Sequence, residues 1–447
     1  MSDLMQNVIE QYKDRLETRA VVQGRKAIEE SIPTLRSLLG DGLWLVAVDD
    51  NTWNVAGKRL ASALDVAGIR WERYDVPSPE GASEPLCDDA TIARYADALR
   101  SVGATAGVAV GAGTINDVVK YACSGLKLPA ACVATAPSMN GYTSTIAAIL
   151  QDGVKTTQPC AAAIAVVADI DVLAESPMRM IQSGIGDLMS KPVSNSDWIV
   201  SAKLAGSHHS PEAMAIIEDG SRLLDGVAPL LPKRDRGAID RLSASLMLSG
   251  FAMAVAGSSS PASGGEHLVS HYLDMTAYAH GLPHDFHGCQ VAVGTLAAAH
   301  IYERILALDP SDINVEERVA QLQPWDAYRT LLEERFGVLY EAVLPHAKAG
   351  YPSPEQLGQR LTLLKRDWHQ LMAAARRTLR TRQSIEDELQ QAGCPVRFSE
   401  IGVKSRDRAL ESVAWAKDIR SRYTVLHLAW EIGGLDEWAE DAVSVLA

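Results

Sequence analysis

Gly111-Ala-Gly-Thr-Ile-Asn-Asp-Val-Val-Lys120 is the segment on which the fold turns. It follows the apolar run 107–110 and opens a helical pattern. Glycines at a strand-to-helix turn let the backbone approach a pyrophosphate, whose charge then faces the N–H groups of the first helical turn. Farther on, Thr135-Ala-Pro-Ser-Met-Asn-Gly-Tyr-Thr-Ser144 marks a second strand end, rich in small hydroxyl side chains where a nicotinamide ribose and a substrate can meet. The glycine pair arrives late, after several βα units, whereas the ordinary dinucleotide fingerprint follows the first strand. Together the two segments predict a dinucleotide enzyme.

Outward from this segment, short β-rich runs alternate with helical stretches. Strands are expected at 20–23, 44–48, 70–76, 106–110, 130–134 and 163–168, with helices at 25–39, 53–67, 89–102 and 114–124. Such alternation predicts a mostly parallel, doubly wound sheet. After Asp169 the pattern is helix after helix, punctuated by Pro177, Pro211, Pro261, Pro283, Pro310, Pro345 and Pro395. The expected organisation is an α/β nucleotide-binding domain over 1–175, Rossmann-like with a mostly parallel sheet, and an all-α domain over 176–447, with the site in the cleft between them. The run Gly257-Ser-Ser-Ser-Pro-Ala-Ser-Gly-Gly265 has the composition of a linker, but its place just before His267 favours a loop packed against a ligand.

Composition narrows the class. At 447 residues the chain is too long for one ordinary core. A net charge of −14 argues against a nucleic-acid partner, though not against a small anionic substrate. The six cysteines show no C-x-x-C pairing, which reads as buried free thiols in a reducing compartment. The polar segment 1–18 lacks the apolar core of a secretory signal, and no run looks long enough to span a membrane. The expectation is a cytoplasmic protein without membrane insertion.

Three groups in the helical half have the chemistry of a metal site: Asp187, His267 and His287. One carboxylate and two imidazoles suit Zn²⁺, Ni²⁺ or Fe²⁺, and a position left open would let the ion polarise a carbonyl. His267 and His271, four apart on one helix face, also fit a hydrogen-bonded core pair. The order Glu266-His-x-x-x-His excludes the H-E-x-x-H metalloprotease signature. Lys191, four residues after Asp187, is expected on the same helix face, either holding a substrate phosphate or forming a surface pair. Asp49 ends the second strand and is placed to accept hydrogen bonds from an adenosine ribose, with helix capping by Asn51 or Thr52 as the alternative.

Taken together, these segments resemble the sn-glycerol-1-phosphate dehydrogenases of the iron-containing alcohol dehydrogenase, glycerol dehydrogenase and dehydroquinate synthase-like superfamily. The likeness runs through Asp-Asn-Thr at 50–52, Gly-Thr-Ile-Asn-Asp at 113–117, Thr-Ala-Pro-Ser-Met at 135–139 and Gly-Asp at 186–187. It continues with Ser-Gly-Gly-Glu-His at 263–267, His-Gly-x-Gln-Val at 287–291 and Ile-Arg-Ser-Arg-Tyr-Thr-Val-Leu at 419–426. The resemblance implies Asp187, His267 and His287 as metal ligands. It places Gly111, Gly113, Thr114 and Asp117 in the pyrophosphate loop, Thr135, Ser138 and Ser144 along the nicotinamide and ribose, and Lys191 in the substrate cleft. Two positions depart from it: Asn140 stands where the family carries aspartate, and Cys289 where a glutamate commonly follows His-Gly. Asparagine at 140 can still hold a polyol hydroxyl but cannot accept a proton.

The expected activity is hydride transfer between NAD or NADP and a small phosphorylated substrate, with dihydroxyacetone phosphate and sn-glycerol 1-phosphate the best pair. One divalent ion stabilises the developing alkoxide. The proton moves through a water beside the ion or through His271. Asp49 repels a 2′-phosphate and so leans toward NAD. The alternatives are a polyol dehydrogenase without a phosphate requirement, a dehydroquinate synthase-like lyase and a non-catalytic sensor. The lyase branch carries glutamate where Asp187 stands, and a sensor has no physical need of three metal-binding side chains. Homo-oligomerisation and a role in phospholipid metabolism complete the expectation.

Overall fold

A computed structural model describes residues 2–79, 84–151 and 154–447. Its chain divides into two compact units, one of Met1–Leu188 with Glu212–Ser258, the other of Met189–Pro211 with Ser259–Ala447. The expected border at 175/176 therefore falls inside the first unit, which also draws in the helices Met178–Leu188 and Arg236–Ala256.

The first unit is built on strands β1 (Ala20–Gly24), β2 (Trp44–Val48), β3 (Trp71–Asp75), β4 (Ala106–Gly111), β5 (Ala130–Ala134) and β8 (Ala165–Asp169). They form one parallel sheet in the order β1-β8-β5-β4-β2-β3. Every residue of β2, β4, β5 and β8 is buried, as expected where helices cover both faces of a parallel sheet. Their runs of Val and Ala carry no alternation for that reason. β3, Trp-Glu-Arg-Tyr-Asp, is polar and closes one edge, where unpaired backbone faces water. Between β5 and β8 lies an antiparallel hairpin of β6 (Ile146–Gln151) and β7 (Val154–Pro159), which the sequence reading did not anticipate. The expected helix 25–39 is broken at Ser31 into Ala27–Glu30 and Ile32–Leu39, because Pro33 is tolerated only in a first helical turn.

Helix Arg236–Ala256 corrects the membrane reading: it is long and apolar enough to cross a bilayer by length and composition. Its most apolar stretch is 83% buried within the fold, so the apolarity serves a core. Gly250 marks where that helix approaches the turn after β5. A Cβ there would lie 2.6 Å from the Asn140 carbonyl oxygen. The second unit is helical throughout. Its centre pairs Gly265–His280 with His287–Leu306, and Gly294 permits the contact because a Cβ would meet the Glu266 carbonyl oxygen at 2.5 Å.

Candidate active site

The carboxyl ends of β2, β4 and β5, which are neighbours in the sheet, deliver Asp49, the Gly111–Thr114 turn and Thr135 to one edge. Ligands of open parallel sheets bind at such an edge. Helix Gly113–Leu126 starts there with no side-chain cap at Ala112, so its first-turn N–H groups have no internal anion. A Cβ on Gly113 would meet nothing within 4 Å, whereas one on Gly111 would strike Ile115 at 2.7 Å. Gly113 thus leaves open space at the helix start, and Gly111 lets the turn close on its own helix.

Several expected cofactor contacts prove to be engaged within the protein. Asp49 itself caps the helix after β2: its carboxylate accepts from Thr52 N–H at 2.7 Å, and the Thr52 hydroxyl accepts from Asp49 N–H at 2.9 Å. The cap expected from Asn51 or Thr52 is therefore shared by Asp49 and Thr52. Asp117 is buried and accepts from Ala148 N–H at 2.9 Å and Asn116 at 3.0 Å. Burial raises its pKa, against the pull of Lys120 at 3.5 Å. Lys120 in turn donates to the Gly141 carbonyl at 2.9 Å and the Ser144 carbonyl at 3.3 Å. The Ser144 hydroxyl donates back to Gly141 at 3.1 Å. Asp117, Lys120 and Ser144 therefore brace the 140–148 segment. Thr135 and Ser138 are buried, and the Ser138 carbonyl accepts from Ser183 at 3.0 Å.

Asp187 is buried near the end of helix Met178–Leu188, where Asn140 donates to it at 3.2 Å. Asn140 also reaches Ser249 at 3.4 Å. The expectation that Lys191 shares a helix face with Asp187 is corrected. The helix ends at Leu188, Lys191 opens a new one at Lys191–Leu204, and the two residues belong to different units. Lys191 is 2% exposed and donates to the Ala262 carbonyl at 3.1 Å and the Ser190 hydroxyl at 3.2 Å.

Three imidazoles gather in the second unit. The ring centres of His267 and His287 lie 5.2 Å apart, those of His271 and His287 5.5 Å, and those of His267 and His271 6.2 Å. Donor atoms of His271, Asp274 and His287 fall within 4.8 Å of one another, a spacing compatible with one cation. Asp274 was not foreseen, although it stands three residues after His271 on one helix. Neighbouring side chains engage Nδ1 of two of the rings. Glu266, fully buried, accepts from His267 Nδ1 at 2.8 Å; a carboxylate only accepts, so Nδ1 carries the proton. The Ser270 hydroxyl donates to Gln290 at 3.0 Å and so accepts from His287 Nδ1 at 3.1 Å. With Nδ1 so engaged, either ring would ligate a metal through Nε2. The donor set fits a divalent ion of the Zn²⁺, Ni²⁺ or Fe²⁺ type.

The comparisons with known proteins agree with this chemistry. The family model described as iron-containing alcohol dehydrogenase matches residues 22–177. A glycerol-1-phosphate dehydrogenase (NAD(P)+) of Bacillus velezensis is 30% identical over 419 residues, covering 93% of this chain and 92% of the relative. That of Bacillus licheniformis is 29% identical, over 94% of this chain and 90% of its own. Among solved structures, a probable glycerol dehydrogenase from Sinorhizobium meliloti aligns with a TM-score of 0.62 at 17% identity, covering 95% of this chain and 98% of that one. Glycerol dehydrogenase from Schizosaccharomyces pombe gives 0.60 at 17% identity, covering 96% and 91%. At such identities the structures attest the fold alone.

Proposed function

This chain belongs to the glycerol-1-phosphate dehydrogenase family of the iron-containing alcohol dehydrogenases, and we propose on that premise that it interconverts dihydroxyacetone phosphate and sn-glycerol 1-phosphate. It is an NAD(P)-dependent oxidoreductase that uses a divalent metal. The observation that carries the proposal is the gathering of His267, His271 and His287, with His267 and His287 each held at Nδ1. Asp187 is the carboxylate we assign to the same ion, supported by the Gly-Asp pair at 186–187 and by its burial beside Asn140. When bound, the nicotinamide exchanges hydride with the substrate carbon while the metal polarises its oxygen.

The protein's own part is placement. The uncapped helix start at Gly113 and Thr114 receives the pyrophosphate, and Asp49 keeps one carboxylate oxygen for the adenosine ribose while the other caps its helix. Thr135 and Ser138 line the nicotinamide side. Asn140 orients Asp187, and Lys191 holds the substrate phosphate. To His271, ring to ring with His287, or to a water beside the ion we assign the passage of a proton to or from the substrate oxygen. Six free cysteines, four of them buried, support a reducing cytoplasmic setting, and a homo-oligomer remains our expectation.

The test is direct. Protein loaded with Zn²⁺ or Ni²⁺ should consume NADH or NADPH on addition of dihydroxyacetone phosphate, and reduce NAD(P)+ with glycerol 1-phosphate faster than with glycerol. Equal rates with the two alcohols would favour a plain polyol dehydrogenase. Absence of turnover with any small ketone sinks the proposal.

A further inference from the structure

The segment Ile-Arg-Ser-Arg-Tyr at 419–423 reaches the serine-rich run before His267. Within the second unit, Arg422 donates through one terminal nitrogen to the Ser263 carbonyl and through the other to the Ser259 hydroxyl, the latter at 2.6 Å. Lys191 donates to the carbonyl of Ala262, the residue next to Ser263. Two cations from segments more than 200 residues apart thus sit on consecutive peptide carbonyls of the serine-rich run before His267. Ser194 fastens the same run by donating to the Pro261 carbonyl at 3.4 Å, and Asp197 accepts from Gly265 N–H at 2.7 Å.

Carbonyl and hydroxyl partners orient a guanidinium without neutralising it. Among the described residues Arg422 forms no ion pair with a carboxylate, and two of its five N–H donors are used. Withdrawing such a charge from water is costly unless an anion completes the site, and burial lowers the Arg422 pKa to about 10. Glu266 is the leading acidic neighbour of Arg422, opposed by the like charge of Arg420, and burial, then Glu266, push the Asp197 carboxyl up to about 8.

We infer that Arg422 and Lys191, with the serine run 259–263 between them, form the subsite for the substrate's phosphate group. This deepens the proposed function and rests on it. Arg422 presents a planar fork that matches phosphate oxygens, and Lys191 adds a second charge. The subsite lies four residues along the chain from His267, so it is within about 14 Å of that imidazole by chain length alone. A three-carbon phosphate spans a gap of this order.

The experiment compares wild type, Arg422→Ala and Arg422→Lys, each loaded with metal, on glycerol 1-phosphate and on glycerol, alongside calorimetric titration with inorganic phosphate. The expected result is a fall in kcat/KM of Arg422→Ala that is about 100-fold larger for glycerol 1-phosphate than for glycerol, with partial recovery in Arg422→Lys. Inorganic phosphate should bind the wild type and lose about tenfold or more in affinity in Arg422→Ala. An equal fall on both substrates would assign Arg422 to shaping the loop, and unchanged phosphate affinity would exclude contact; either overturns the inference. Should the wild type fail to oxidise glycerol 1-phosphate while phosphate binding still depends on Arg422, the anion subsite stands and the proposed reaction falls.

Discussion

Asn140 donates its side-chain amide to the buried carboxylate of Asp187 across 3.2 Å, joining the turn after β5 to the end of helix Met178–Leu188. Where the resemblance expects aspartate at 140, a neutral donor stands against the carboxylate assigned to the metal. The bond adds orienting Asp187 to the role first considered for Asn140, holding a polyol hydroxyl. A hydrogen bond to a charged group contributes about 1.5–3 kcal/mol. Asn140→Ala should therefore lower kcat/KM about tenfold or more while leaving the melting temperature within a few degrees. Steady-state kinetics beside a thermal melt checks this, and unchanged kinetics would deny Asn140 that role.

The two imidazoles assigned to the metal are backed unequally, His267 by the anion Glu266 and His287 by the neutral Ser270–Gln290 pair. A carboxylate behind an imidazole raises its basicity and holds its ring, and loss of such a partner typically costs 10–100-fold in metal affinity. Glu266→Gln should weaken Zn²⁺ or Ni²⁺ binding by that factor, and Ser270→Ala should weaken it less. Titration calorimetry reads both, and a larger loss in Ser270→Ala would reverse the assignment.

Gly111 and Gly113 separate folding from cofactor binding. Alanine at 111 meets Ile115 at 2.7 Å and should destabilise the first unit by about 1–3 kcal/mol. Alanine at 113 meets nothing within 4 Å and replaces a helical glycine, so Gly113→Ala should melt at the wild-type temperature or slightly above. If the pyrophosphate lies against that turn, the same variant raises KM for NADH about tenfold or more. A normal KM would move the pyrophosphate elsewhere.

Acid stability should depend on His427. Its Nδ1 accepts from the Thr424 N–H at 3.3 Å and hydroxyl at 3.2 Å. Burial, then the charges of Lys417 and Arg360, lower its pKa from 6.5 to about 3. The unfolded chain takes up a proton below about 6.5 and the folded one does not, so this contribution is whole above 6.5 and declines as pH falls toward 3. The slope is at most about 1.4 kcal/mol per pH unit. His427→Gln should flatten the stability difference between pH 7 and pH 5, measured by urea denaturation. An unaltered difference would show that other groups govern it.

How much was legible beforehand differs by element. β2 and β5 were read to the residue, because a strand buried on both faces is a continuous apolar run and needs no partner to be seen. The β6–β7 hairpin escaped, because Thr-Thr-Gln and its neighbours carry no apolar alternation and the pairing depends on the facing strand. At the site, His267 and His287 were visible as residue types. Glu266 stood only as a neighbour of His267 and Arg422 only as part of the resemblance at 419–426, while Ser270 and Ser249 carried no signal, since a hydroxyl looks like any other until its partner is known.

The chain's own order of residues determined the β-α alternation, the glycine turn at 111–114 and the supply of imidazole and carboxylate groups, all properties of neighbours within a turn or two of backbone. Only the tertiary structure decided that Asp117 serves the fold by accepting from Ala148 N–H, that Lys191 donates to Ala262, and that Arg422 settles on the run before His267. Those outcomes rest on hydrogen bonds between segments up to 163 positions apart, which no local pattern encodes.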